Sequence, residues 1–239
     1  MKKAILIIHG FVGSTYDNEY LANYLELDDR FKVFTNTLPG HYLFANYQIG
    51  KYEEWVNFTK KSIQELIDHG FKDIYVIGHG LGGVLATILA NNYPEIKKII
   101  LLNTSFKYLN FNQTKINILT NKDYKDYVEV FNQVFHTSIP FFLEFVKLIK
   151  TYQDILKEIN NEVLIMQSDK DKIVSLENAK EIYDNINSKN KTLTYITNGE
   201  HIILSGNSLE LERKKEISEY IKLFLRGGKK WKKNKKEKI

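Results

Sequence analysis

The feature that most constrains this 239-residue chain is a short apolar run, Ile74-Tyr75-Val76-Ile77, that passes directly into Gly78-His79-Gly80-Leu81-Gly82-Gly83 and then into a helical stretch over 84–91. A strand joined to a helix by a glycine turn needs close backbone approach, and it belongs to folds in which strands and helices alternate. The rest of the chain keeps that rhythm. Candidate strands cover 4–8, 31–38, 74–77, 98–102, 163–166 and 193–196. Most are unbroken runs rich in Ile and Val rather than alternating ones, the pattern of strands buried on both faces of a parallel sheet. Lys32 and Thr35-Asn36-Thr37 make the second the most dilute. Helical spacing marks 18–27, 52–68, 176–186 and 209–225, and Gly70 punctuates the second of these. Strand and helix in this order predict an α/β sheet with right-handed crossovers.

Residues 103–160 break the alternation, because no strand is apparent there. Helical stretches over 124–135 and 141–159 carry Phe131, Phe135, Phe141, Phe142, Phe145 and Val146. An insertion of this length and aromatic density between two sheet strands reads as a helical cap, against the plainer alternative of two peripheral helices covering a sheet edge.

The glycine turn admits three chemistries. A phosphate-binding loop of the P-loop type needs Gly-Lys-Ser/Thr at its end, and Gly82-Gly83-Val84 stands there. The spacing G-x-G-x-x-G matches a dinucleotide fingerprint literally, but that motif follows the first strand and has an acidic residue about 20 positions on. Here the turn follows the third strand, and Ile-Leu-Leu-Asn occupies 100–103. The third is the nucleophile elbow, G-x-S-x-G between strand and helix, with small residues two positions either side of the nucleophile. Gly78 and Gly82 meet that need, and the central position is Gly80.

Three other segments favour the elbow. His9-Gly10-Phe11-Val12-Gly13 follows the first strand, where a backbone N–H can join that of Leu81 to receive an oxyanion. The strand 163–166 runs into Gln167-Ser168-Asp169-Lys170-Asp171-Lys172-Ile173-Val174, an acidic loop before a helix. Gly199-Glu200-His201 follows the last strand. Nucleophile position, acid and histidine, in that chain order and at strand C-termini, is the order of one fold class.

On these residues the chain resembles the α/β-hydrolase superfamily, and within it the small bacterial carboxylesterases and monoacylglycerol-lipase-like serine hydrolases. The resemblance spans 4–225 and adds Leu38-Pro39-Gly40-His41 as the loop after the second sheet strand. It implies a mostly parallel sheet with helices on both faces, a hydrolase core over 1–104 and 161–228, and a cap over 105–160. It also implies a carboxylic ester or other acyl substrate beneath the cap. The six histidines and the carboxylates form no ligand-spaced cluster, so no metal or organic cofactor is expected. Residue by residue, Phe11 and Leu81 match the oxyanion-hole donors, His201 the catalytic base, and Asp171 the acid. Asp169 is a second candidate acid, which the family spacing to the following Ile-Val disfavours. Two positions depart from the pattern: Glu200 replaces a usual glycine, and Gly80 stands where the nucleophilic serine belongs. Ser14 and Ser105 lie near the same loops but off the elbow. Without the hydroxyl no acyl-enzyme can form. The sequence therefore supports an ester hydrolase that has lost its nucleophile or, alternatively, a hydrolase-fold protein kept for binding a ligand or partner.

Composition narrows what remains. Apolar residues at 43%, aromatics at 13% and charged residues at 26% exclude disorder over most of the chain. The opening Met1-Lys2-Lys3 and apolar 4–8 imitate a signal peptide, but the run is short and ends in His9-Gly10, so it reads as a strand. The absence of cysteine excludes disulfides and fits a reducing compartment, so a cytoplasmic location is expected. The net charge of +5 arises at one end: 229–239 hold seven lysines and one glutamate, leaving 27 basic and 28 acidic residues before them. A near-neutral body and arginine only at 30, 213 and 226 argue against nucleic acid. The tail reads as a basic, disordered terminus able to touch anionic membrane.

Overall fold

The computed structural model describes residues 2–41, 50–111, 114–117, 139–205, 209–227 and 237–239. Its centre is a parallel sheet. Strands β1 (Lys3–Ile8), β2 (Phe31–Asn36), β3 (Ile74–His79), β4 (Ile96–Leu102), β7 (Glu162–Ser168), β8 (Lys191–Ile196) and β9 (Glu237–Lys238) lie in the order β2-β1-β3-β4-β7-β8-β9. Every pair in it is parallel, with Ile5 opposite Val33 on one side and Tyr75 on the other. The chain leaves β1 for β2 on one flank and returns to β3 on the opposite flank. The order therefore reverses at β1/β3, and a crevice opens there beyond the carboxyl ends of the strands.

Period-two burial sorts the strand residues into two cores. Leu6, Ile8, Val76, Ile99 and Ile165 face the layer containing α2 (Tyr52–Asp68), α3 (Leu81–Asn92), α4 (Ile139–Thr151) and α5 (Leu176–Asn185). Ile5, Ile7, Ile77, Ile100 and Met166 face α1 (Glu19–Glu26) and α6 (Leu211–Arg226). Helix α2 buries Trp55, Val56, Thr59, Ser62, Ile63 and Leu66, a single stripe at helical spacing. Helix α3 is buried from Leu81 through Ala90 on every side, as a helix leaving the centre of a sheet must be.

The helices expected over 52–68 and 176–186 are present at nearly those bounds, and 18–27 resolves into two pieces. Ser14 caps a 3₁₀ turn, Thr15–Asn18, in a capping box with Asp17, and α1 follows. The second strand stops at Asn36, earlier than Leu38.

The segment 105–160 differs more. A hairpin of β5 (Tyr108–Phe111) and β6 (Thr114–Asn117) lies where no strand was apparent. Its alternation is too short to stand out from the surrounding polar residues. The helical stretch 141–159 is α4 followed by a separate 3₁₀ turn, Ile155–Glu158. Phe131, Phe135 and the stretch 124–135 lie outside the described residues. Among the described residues no helix is long and apolar enough to cross a membrane.

The end of the basic tail also departs from expectation. Residues 237–239 close the outer edge of β8, with Ile239 N–H donating to the Tyr195 carbonyl at 3.0 Å and Thr197 N–H to the Ile239 carbonyl at 2.7 Å. An edge strand tolerates lysine because its outer side stays in water, so a basic segment can supply the pairing that β8 lacks.

Candidate active site

The crevice at β1/β3 is a cleft of about 230 Å³, reached by the loops after β1 and β3 and by residues from four later segments. Its walls are mostly apolar: Phe11 and Val12 from the first loop, Phe145 from α4, Ile173 and Val174 before α5, and Ile202.

The β1 loop is shaped from beneath. His9 is buried, donates from Nδ1 to the Gly10 carbonyl at 2.8 Å, and accepts the Leu38 N–H on Nε2 at 2.9 Å. Those partners define a neutral ring, and burial holds its pKa below the usual value despite the Gly10 carbonyl. Gly13 N–H closes a tight turn on the Gly10 carbonyl at 3.1 Å, which leaves Val12 at a φ of 74°. A β-branched residue rarely adopts that conformation. The turn projects the Phe11 ring onto Phe141 and Phe145, at centroid distances of 4.7 and 5.1 Å.

At the β3 turn the glycines have different reasons. A Cβ on Gly78 would overlap the Gly82 carbonyl, and one on Gly82 would overlap the Ile8 carbonyl, so backbone packing forbids side chains there. Gly80 is unlike them. It has φ 52° and ψ −112°, but a Cβ built on it meets nothing nearer than His201 Nε2 at 3.6 Å and the Gly10 Cα at 3.7 Å. The position is demanding in backbone conformation and open in space. Leu81 begins α3, so its N–H has no acceptor within the helix, and the helix end adds partial positive charge.

His201 faces this open space with one ring nitrogen and Asp171 with the other. Its Nδ1 lies 2.9 Å from Asp171 Oδ2. The other Asp171 oxygen accepts N–H bonds from Ile173 at 2.8 Å and Val174 at 2.9 Å, and Gln167 Nε2 donates to Oδ2 at 3.2 Å. Burial works to raise the Asp171 pKa. The facing His201 and these hydrogen bonds outweigh it and hold the carboxyl below its usual range. Asp169 is placed elsewhere: its Oδ1 accepts the Asn198 N–H at 2.7 Å, bracing the loop that carries His201. Of the two candidate acids, Asp171 is the one beside the imidazole.

The remaining sequence candidates separate. Phe11, Gly80, Leu81 and His201 line one cleft, and Asp171 stands behind His201. Ser14 is occupied as a cap, accepting the Tyr16 N–H at 3.3 Å. Ser105 lines the cleft from the loop after β4, off the elbow turn. His41 packs edge-on to His9 at 5.0 Å and against Trp55, and its pKa is lowered to about 3 by burial and by His9.

Two further residues shape the site. His79 precedes Gly80 and donates from Nε2 to the His201 carbonyl at 2.7 Å. Asn103 directly follows β4 at a φ of 43° and reaches the same carbonyl. In the sequence His79 stands inside the glycine turn with no role assigned to it, and Asn103 opens the polar run Asn103-Thr104-Ser105 after an apolar strand.

Comparison with known proteins gives a consistent picture. The family model described as alpha/beta hydrolase fold matches residues 3–140, and one described as a serine aminopeptidase matches 120–207. A carboxylesterase of Bacillus subtilis (strain 168) is 22% identical over 219 residues, covering 87% of this chain and 88% of the relative. Among solved structures, one from a study of two metagenome-derived lipolytic enzymes, LipS and LipT, superposes with a TM-score of 0.75 at 19% identity, covering 95% of this chain and 94% of that one. The monoacylglycerol lipase of Paleococcus ferrophilus gives 0.70 at 15% identity, covering 92% and 94%.

Proposed function

The chain belongs to the alpha/beta hydrolase fold family and is esterase- and lipase-like, and on that premise we propose that its cleft is a carboxylic-ester site whose nucleophile position is held by Gly80. One observation carries this reading: His201, backed by Asp171, presents Nε2 to the space where a side chain at 80 would stand, with 3.6 Å to a Cβ there. A hydroxyl one bond beyond that Cβ comes within hydrogen-bond reach of the imidazole.

In the proposed roles, His201 is the base and Asp171 holds it in the Nδ1–H tautomer and stabilises the imidazolium. The Phe11 and Leu81 N–H groups receive the oxyanion. The apolar wall of Phe11, Phe145, Ile173 and Ile202 supports an acyl chain or small hydrophobic ester as ligand. The contribution of Phe145 supports a cap role for at least the α4 part of 105–160.

With glycine at 80, no acyl-enzyme forms. Hydrolysis is left to water. His201 takes a proton from the water as its oxygen bonds to the ester carbon. The C–O bond to the alcohol then breaks, and the proton passes to the leaving alkoxide. Sites stripped of a triad member keep roughly 10³–10⁴-fold catalysis over water.

Gly80 itself favours a second reading, a binding protein that retains the ester cleft without turnover. The variant Gly80→Ser separates the two. The hydrolase reading expects cleavage of p-nitrophenyl butyrate with a burst of product, and labelling by a fluorophosphonate, both lost in Gly80→Ser/His201→Ala. A folded Gly80→Ser protein that does neither leaves the binding reading in its place.

A further inference from the structure

We propose that His79 and Asn103 are positioning residues that act as a clamp on the main-chain carbonyl of His201, setting its imidazole against both Asp171 and position 80. The inference rests on the hydrolase reading for its chemical meaning, but the clamp itself is a matter of geometry.

His201 follows β8 on a segment, 197–205, without helix or strand. A ring on such a segment needs its backbone fixed from outside. Two donors, one ending β3 and one just past β4, converge on one atom: His79 Nε2 and Asn103 Nδ2 each lie 2.7 Å from the His201 carbonyl oxygen. A carbonyl oxygen has two lone pairs, so both bonds can be made together. Two donors on one oxygen fix the peptide plane, and with it the direction from which the side chain leaves.

Each donor is itself held. Asn103 is fully buried; its Nδ2 also reaches the Glu200 carbonyl at 3.1 Å and Ser168 Oγ at 3.0 Å. Its Oδ1 accepts the Ser168 N–H at 2.8 Å, and its own N–H donates to the Met166 carbonyl at 2.9 Å. This amide ties the end of β4, the end of β7 and the His201 segment together. Asparagine suits the left-handed backbone at 103 better than most residues. The segment is seated tightly over Ser168, for a Cβ on Gly199 would come within 2.7 Å of the Ser168 Oγ.

His79 adds the link to the reacting centre. It is the last residue of β3 and the neighbour of Gly80, so the base and the nucleophile position are referenced to one strand. Burial, aided by the nearby His201, pushes the His79 pKa down to about 3. The ring is then neutral at ordinary pH, and its proton sits on Nε2, the nitrogen facing the carbonyl.

The test uses Asn103→Asp, which keeps the shape and backbone preference but loses the amide donor, His79→Leu, which has no donor, and His79→Gln, whose amide nitrogen takes the place of Nε2. In the Gly80→Ser background, the first two should lower kcat for p-nitrophenyl butyrate by about 10²-fold with KM changed by less than about twofold, and His79→Gln should recover most of the loss. In the chain with Gly80, the downfield NMR signal of the His201 Nδ1 proton should broaden away in the first two variants and persist in His79→Gln. An unaltered Nδ1 signal in folded Asn103→Asp and His79→Leu overturns the clamp. If Asn103→Asp does not fold, the His79 pair decides. If Gly80→Ser is inert, the hydrolase reading falls, and the NMR comparison still decides the clamp.

Discussion

The Nδ1 of His201 lies 2.9 Å from Oδ2 of Asp171, and the Asp171 side chain is shielded from solvent completely. A carboxylate so placed accepts a proton-bearing Nδ1 and leaves Nε2 as the ring's free lone pair. Asp171→Asn presents an amide that can donate to Nδ1 and favours the opposite tautomer. In the Gly80→Ser background it should lower kcat by roughly 10⁴-fold while substrate affinity holds. Steady-state kinetics with p-nitrophenyl butyrate checks this, and a loss confined to KM would contradict the assigned role.

Gly80→Ser should destabilise the protein. A non-glycine residue at φ 52° costs on the order of 1–3 kcal/mol, with no packing penalty because the nearest atom to a Cβ is 3.6 Å away. For a chain of this size each kcal/mol lowers Tm by about 2–4 °C. Gly80→Ala should show the same drop and no activity. Gly82→Ala should be far worse, since its Cβ would overlap the Ile8 carbonyl. Equal melting temperatures for the Ala variants at 80 and 82 would refute this distinction.

Stability should fall with acid from near pH 6.5 downward. The buried rings of His41 and His79 have folded pKa values of about 3, below the unfolded 6.5. As pH drops through 6.5 the unfolded chain takes up protons that the folded one refuses. The stability present above pH 6.5 is thus lost progressively down to about pH 3. Each ring contributes a slope of about 1.4 kcal/mol per pH unit within that window. Urea unfolding at pH 7, 6 and 5 measures it, and His41→Gln should make the dependence shallower. A stability constant from pH 7 to 5 would show that these rings ionise freely.

Removing 237–239 should lower Tm by about 2–4 °C, the loss of about 1 kcal/mol. The deletion takes away the backbone bonds to Tyr195 and Thr197 and the packing of Ile239. These gains are largely offset in the intact chain by the entropy of ordering the segment. Hydrogen exchange at the Thr197 amide should quicken in the same variant. No change in either measurement would mean that β9 adds nothing to the edge.

The sequence by itself determined the six main sheet strands and most of the helices between them, because those depend on local pattern. The Ile- and Leu-rich runs at 4–8, 98–102 (after Lys98) and 163–166 have almost no polar face to expose, the pattern of interior parallel strands. Gly78 and Gly82 mark a turn whose backbone admits no side chain, which was enough to place the elbow and the glycine at its centre. Tertiary structure decided what depends on direction across long separations. Asp169 and Asp171 are two residues apart in one loop, and only the fold turns one toward Asn198 and the other toward His201. His79 and Asn103 meet the His201 carbonyl from the end of β3 and from just past β4, a convergence of hydrogen-bond vectors with no local signature. The pairing of 237–239 with β8 likewise follows from an edge left open by the topology, since seven lysines in eleven residues give no sign of a strand. Local chemistry specifies what each segment becomes, and the relative placement of strand ends specifies which polar atoms can touch.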